Sequence, residues 1–110
     1  MSTLLDAEAL DVLVEAIGAE GTRSVIDLFL GESRDLVAAI AASGADPAVV
    51  GRAAHSLKSS AGQLGASALS AAALAVENAA HARGAELPQL IAALADCAAA
   101  TQQALAARLS

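Results

Sequence analysis

Apolar residues along this chain recur at helical spacing. Leu10, Leu13, Val14 and Ile17 occupy the i, i+3, i+4 and i+7 positions of one stripe, with Asp6 placed to cap the segment and Gly18 to stop it. That spacing predicts a short helix over residues 6–17, with Leu5 and Leu10 positioned to close a hydrophobic staple across the cap. Ile26, Phe29, Leu36, Val37 and Ile40 trace a longer stripe, predicting a helix over 22–43 that ends at Gly44. Gly31, inside it, costs about 1 kcal/mol relative to alanine and marks either a close approach or a tolerated weak point. Asp46 and Pro47 supply a cap and a first-turn proline for a helix over 47–64, with Gly65 as its break. Ser67 is placed to cap a helix over 67–83 with Leu69, Ala73, Val76 and Ala80 inward and Gly84 at its close. Pro88 opens a last helix over 88–109, where Ile91, Leu94, Ala98, Thr101, Leu105 and Arg108 follow a seven-residue spacing flanked by Leu87, Leu90 and Leu109.

Every connection between these segments is only a few residues long, so successive long helices must lie antiparallel. The expected fold is all-α: an antiparallel four-helix bundle with a short additional N-terminal helix, occupying residues 1–110 as one domain. Composition sharpens this expectation, because 56% of the residues are hydrophobic, alanine is abundant and the only aromatic residue is Phe29. A core built that way is narrow, with helices drawn close together through alanine.

Charge narrows the range of partners. The formal net charge is −6, and acidic residues crowd the first third of the chain between Asp6 and Asp35, which excludes nucleic acid as a natural partner. Against only six Lys and Arg in total, Arg52 and Lys58 form a local reversal of sign that suits an anionic ligand. The single cysteine, Cys97, rules out an internal disulfide and any Cys-x-x-Cys site, and reads as a small buried hydrophobe. Two histidines without a Glu-x-x-His pair argue against a metal or haem site in the bundle. The uncharged stretch Ser59–Val76 is interrupted by serines, Gln63 and Gly65, so no membrane span is expected there, and with no signal-peptide pattern the expected location is the cytoplasm.

The most chemical turn of the chain lies within residues 54–66, Ala-His-Ser-Leu-Lys-Ser-Ser-Ala-Gly-Gln-Leu-Gly-Ala. On a helix His55 shares a face with Gly51, Arg52, Lys58 and Ser59, with Gly62 further along it, while Leu57, Ala61 and Leu64 point the other way. The imidazole then stands on an open, cationic shelf. A neutral imidazole attacks an activated phosphoryl group through its unprotonated nitrogen, and a lysine one turn away neutralises the non-bridging oxygens without blocking in-line access. Small residues at Gly51, Ser59 and Gly62 leave room for another protein to bring its phosphorylated side chain to the ring. Ser56, next to His55, projects about 100° away and makes no dyad with it. His81, near the end of its helix with Arg83, reads as a structural residue favoured by the helix dipole.

Ala54-His55-Ser56-Leu57-Lys58-Ser59 together with Leu64-Gly65-Ala66 resembles the signature of the histidine phosphotransfer (HPt) domain of two-component phosphorelays, and Phe29-Leu30 and Leu74–Glu77 are similar to further family positions. The resemblance implies an HPt bundle and a phosphocarrier in which His55 accepts a phosphoryl group from a receiver-domain aspartate and passes it to another receiver. Lys58 would steady the phosphoryl oxygens, with Ser59, Gly62, Gln63 and Arg52 in supporting or docking roles. Ser59 stands where the family often has glycine, a departure that bears on partner choice more than on transfer. The implied partners are response-regulator receivers and a hybrid sensor histidine kinase, met by a monomer that carries no cofactor, any Mg²⁺ belonging to the receiver. The chain lacks a glycine-rich nucleotide loop and kinase ATP motifs, so it is expected to relay phosphate and not to draw it from ATP. The alternative is a docking bundle that regulates a receiver or kinase by occupancy alone and has no need of the imidazole; an enzyme using His55 as a general base lacks a partner acid in the sequence.

Overall fold

Two aspartate caps set the bundle's first two helix starts. The Asp6 carboxylate accepts from the backbone N–H groups of Glu8 at 3.0 Å and Ala9 at 3.4 Å, and that of Asp46 accepts from Ala48 at 3.0 Å. Each such cap contributes about 1 kcal/mol by satisfying donors that the helix leaves unpaired. The structure, a computed structural model, describes residues 4–109; the outer limits of the expected domain, residues 1–3 and 110, lie outside them. Four helices follow in order: α1 (Ala7–Ala42), α2 (Pro47–Gln63), α3 (Ser67–Ala82) and α4 (Leu87–Ala107). Each packs on the next, α4 closes onto α1, and the backbones of the diagonal pairs α1/α3 and α2/α4 stay apart across the shared core, so the helices stand at the corners of a square.

The separate N-terminal helix expected over 6–17 is the first limb of α1. Gly18, at φ 79° and ψ 171°, kinks the element, and the helix resumes at once, so no connection runs to residue 21. Glycine reaches that positive φ without the Cβ penalty, and one residue suffices for the turn. The first limb docks at its start: the Asp6 N–H donates to the Gly65 carbonyl at 2.7 Å, tying α1 to the turn between α2 and α3. Leu10 is buried, yet Val14 and Ile17 are exposed, contrary to the stripe read from spacing. Val14 overlooks a groove shared with Thr22, Ile26, Arg108 and Leu109 instead of a packed neighbour.

The core runs through Ile26, Phe29, Ile40, Val50, Leu57, Leu69, Val76, Leu94 and Leu105, with Ala54, Ala61, Ala73 and Ala98 filling the spaces between helices. Thr101 is fully buried on the α4 stripe and donates its hydroxyl to the Cys97 carbonyl at 2.8 Å, so its polarity is satisfied within its own helix. Ser33 on α1 is likewise buried and accepts from Gln102 on α4 at 3.0 Å, a polar pin between the first and last helices. Arg108, the last member of the α4 stripe, is exposed and lies just past the helix end. By length and composition α4 also passes for a bilayer span, with a mean hydropathy of 1.3, but its Leu87, Leu94, Ala98, Thr101 and Leu105 are committed to the bundle core.

Two termini differ from the sequence expectation. Ser67 is the first residue of α3, not its cap, and its hydroxyl donates back to the Gly65 carbonyl at 3.4 Å. The left-handed residue that ends α3 is Arg83 at φ 54°, one position before the expected Gly84. Gly31 has open space where a Cβ would stand, so it serves no close approach.

Two glycine substitutions separate these roles. Gly65→Ala places a Cβ 2.8 Å from that of Ala9 on a residue already at φ +73°, and is expected to lower stability by about 2 kcal/mol. Gly31→Ala, on an open helical face, is expected to raise it by up to about 1 kcal/mol; urea denaturation monitored by circular dichroism reads both.

Candidate functional site

The helical period turns Val50, Ala54, Leu57 and Ala61 of α2 into the core and leaves His55 at the edge of the α2/α3 seam. On the opposite helix Leu69, Ala73, Val76 and Ala80 are buried, which brings Glu77 to the same seam. The side chains crossing between the helices are mostly alanine, so the two backbones lie close and a glutamate reaches across. Its carboxylate is shared: Oε2 lies 2.8 Å from His55 Nδ1, and Oε1 accepts from Lys58 Nζ at 3.1 Å. His81, one turn after Glu77, adds Nε2 at 3.8 Å from the same Oε2.

Exposure decides what each group is free to do. The side chain of Glu77 is only 13% exposed, whereas those of His55 and His81 are 61% and 71% exposed and that of Lys58 is 29%. Burial by itself pushes the Glu77 carboxyl up, but hydrogen bonds and charge from Lys58 and His55 outweigh it and hold the pKa below the usual glutamate value. Glu77 is therefore a carboxylate at neutral pH. A carboxylate only accepts hydrogen bonds, so the proton of neutral His55 sits on Nδ1 and its Nε2 lone pair faces solvent. The arrangement provides an exposed nitrogen nucleophile, a carboxylate behind the ring to balance positive charge that develops on it, and an ammonium one turn away.

Beside His55 an open cleft of about 670 Å³ runs between the start of α2 and the end of α3, with Pro47, Ala48, Gly51 and Ala80 among its lining and Arg52 and Arg83 at its charged margin. Arg52 thus borders the site, as its place one turn before His55 requires. Gly51, expected on the open shelf, is buried instead: a Cβ there would stand 3.7 Å from the His81 ring, which lies over it. Ser59, Gly62 and Gln63 are exposed on α2 beyond His55 and do not line the cleft. The nearest group to a Cβ on Gly62 would be the Ser70 hydroxyl, at 3.6 Å, and that hydroxyl donates to the Lys58 carbonyl at 3.0 Å, fixing α3 against the turn that carries the lysine. Next to Ser59, Ser60 donates to Glu32 of α1 at 2.7 Å. Among the described residues no three His, Cys, Asp or Glu side chains converge as metal ligands.

Glu77 is the functional residue that the sequence reading did not place in the site. A signal was present, since Glu77 is the sole carboxylate between Asp46 and Glu86 and so the only acidic residue that α2 and α3 contain. His81, assigned to the helix end, points back along α3 toward Glu77, as helical side chains do.

A family model described as the Hpt domain matches residues 24–107. The crystal structure of histidine-containing phosphotransfer protein B (HptB) from Pseudomonas aeruginosa PAO1 superposes with a TM-score of 0.90 at 22% identity, covering 99% of this chain and 96% of that one, so the two share a fold. No match was found among curated proteins.

The depressed pKa of Glu77 has a sign that can be checked. A carboxyl whose folded pKa lies below its unfolded value adds stability above the unfolded pKa and loses it as pH falls through the folded one. Glu77→Gln is expected to cost about 1 kcal/mol near pH 7, and the gap between variant and wild type should close as pH drops below the ordinary carboxylate range, measured by urea denaturation across pH 3–7.

Proposed function

The chain belongs to the Hpt domain family, phosphocarriers of histidine phosphotransfer in phosphorelays, and on that premise we propose that His55 is its phosphoacceptor. The observation that carries the assignment is the pairing of His55 Nδ1 with the ionised Glu77, which leaves the Nε2 lone pair free on a side chain that is 61% exposed. In the forward step Nε2 attacks the phosphorus of a receiver's aspartyl phosphate in line. The N–P bond forms as the bond to the aspartate oxygen breaks, and the receiver's carboxylate departs with the electron pair. No proton needs to move: the ring becomes a phosphoimidazolium whose Nδ1–H remains on Glu77, and the carboxylate offsets the new positive charge. Onward transfer is the reverse reaction with a second receiver's aspartate as nucleophile.

Lys58 holds Glu77 with one of its three N–H donors, and the others remain available to the phosphoryl oxygens. Arg52 borders the docking surface on the α2 side, with Ser59, Gly62 and Gln63 along the exposed face beyond His55. The donor and acceptor are receiver domains, one of them carried by a hybrid sensor kinase, and the Mg²⁺ of the transfer complex belongs to the receiver. The protein acts as a monomer in the cytoplasm with no cofactor of its own.

Incubation with a phosphorylated receiver tests this directly. Wild type is expected to acquire acid-labile, alkali-stable label and His55→Gln none, while Lys58→Ala retains labelling at a rate reduced about tenfold or more. Equal labelling of wild type and His55→Gln overturns the assignment; absence of label on either, with receiver binding intact, points to regulation by occupancy.

A further inference from the structure

Two histidines address one oxygen of Glu77. His55 approaches Oε2 from α2 at 2.8 Å, and His81 approaches it from α3 at 3.8 Å, close enough to form an ion pair whenever its ring is protonated. The His81 ring is kept there by its position one turn after Glu77, and it packs over Gly51 of α2, where a Cβ would meet Cε1 at 3.7 Å and Nε2 at 3.9 Å in ordinary contact. The charged groups around it are few: Arg52 and His55 from α2, Glu77 and Arg83 from α3, with Lys58 held on the other carboxylate oxygen. Among the described residues neither α1 nor α4 contributes to this cleft.

We propose that His81 is a positioning residue for His55: neutral, it leaves Glu77 Oε2 to the Nδ1–H of His55, and protonated, it draws that oxygen toward itself and releases the ring. The inference rests on the reading of His55 as phosphoacceptor and adds to it a control on when the nucleophile is oriented. Both rings reach the same carboxylate oxygen, so the charge on His81 decides whether that oxygen stays with the His55 ring. A His81 that merely completes the helix end would leave the tautomer of His55 untouched.

The test combines ring ¹⁵N NMR with transfer kinetics on the full chain. In His81→Gln, which cannot ionise, neutral His55 is expected to keep its Nδ1–H tautomer on Glu77 whatever the pH, with no second imidazole competing for Oε2. In His81→Lys, whose ammonium stays charged and pairs with a glutamate four residues earlier, the His55 tautomer preference should weaken, and transfer from a phosphorylated receiver should slow several-fold throughout pH 7–9. Both substitutions fall at one exposed helical position, and circular dichroism verifies the fold. Identical His55 tautomer preferences and identical rate profiles in all three proteins overturn the proposal. The NMR arm needs no phosphate, so failure of His55 to accept label would sink the phosphoacceptor reading while leaving the coupling between the rings separately visible.

Discussion

The close approach of α2 and α3 is the constraint on which the rest of the molecule depends. Gly51, Ala54, Ala61, Ala73 and Ala80 are buried, and with so little side chain between the helices a glutamate rooted on α3 spans the seam to a histidine rooted on α2. Larger residues there would raise the core's hydrophobic stabilisation but push the backbones apart, and the contact between His55 and Glu77 would be lost. The alanine bias of the chain therefore has a mechanical consequence: it exchanges bulk for proximity and places one carboxylate behind an exposed ring.

Glu77 gains its influence from being largely withdrawn from water. An exposed carboxylate beside an exposed imidazole would contribute little orientation, because solvent competes for both partners. With most of its surface covered and one oxygen on Lys58, Glu77 offers a fixed acceptor toward which the His55 ring turns. The lysine consequently does two things at once: it anchors the carboxylate that orients the ring, and it keeps positive charge one turn from the reacting nitrogen. The net charge of −6 lies mostly away from this seam, so the site is a local exception to the acidic surface around it.

The fold also depends on where α1 is allowed to bend. Gly18 turns the chain within a single residue, and the start of α1 then reaches the Gly65 turn, covering the end of the seam through the bond from Asp6 to the Gly65 carbonyl. That contact closes the bundle at the end of α2 farther from the cleft. The cost is an incompletely used stripe, since Val14 and Ile17 satisfy the helical period yet remain exposed.

Local rules made much of this molecule readable from its sequence. The four-helix architecture follows from the helical period of its apolar positions, from the Asp6 and Asp46 caps and from short connections, all of which act within a few residues of chain. The common face of His55 and Lys58 is equally local, fixed by the geometry of one turn. Periodicity cannot say which stripes find a partner, as Val14 and Ile17 do not, nor where a glycine turns the chain without a loop, as at Gly18. It could not join Glu77 to His55 either, because residues 22 positions apart meet only through the register of two packed helices. A sequence records which residue types each face presents; only packing decides which faces meet, and the orientation of the His55 ring is a property of that meeting.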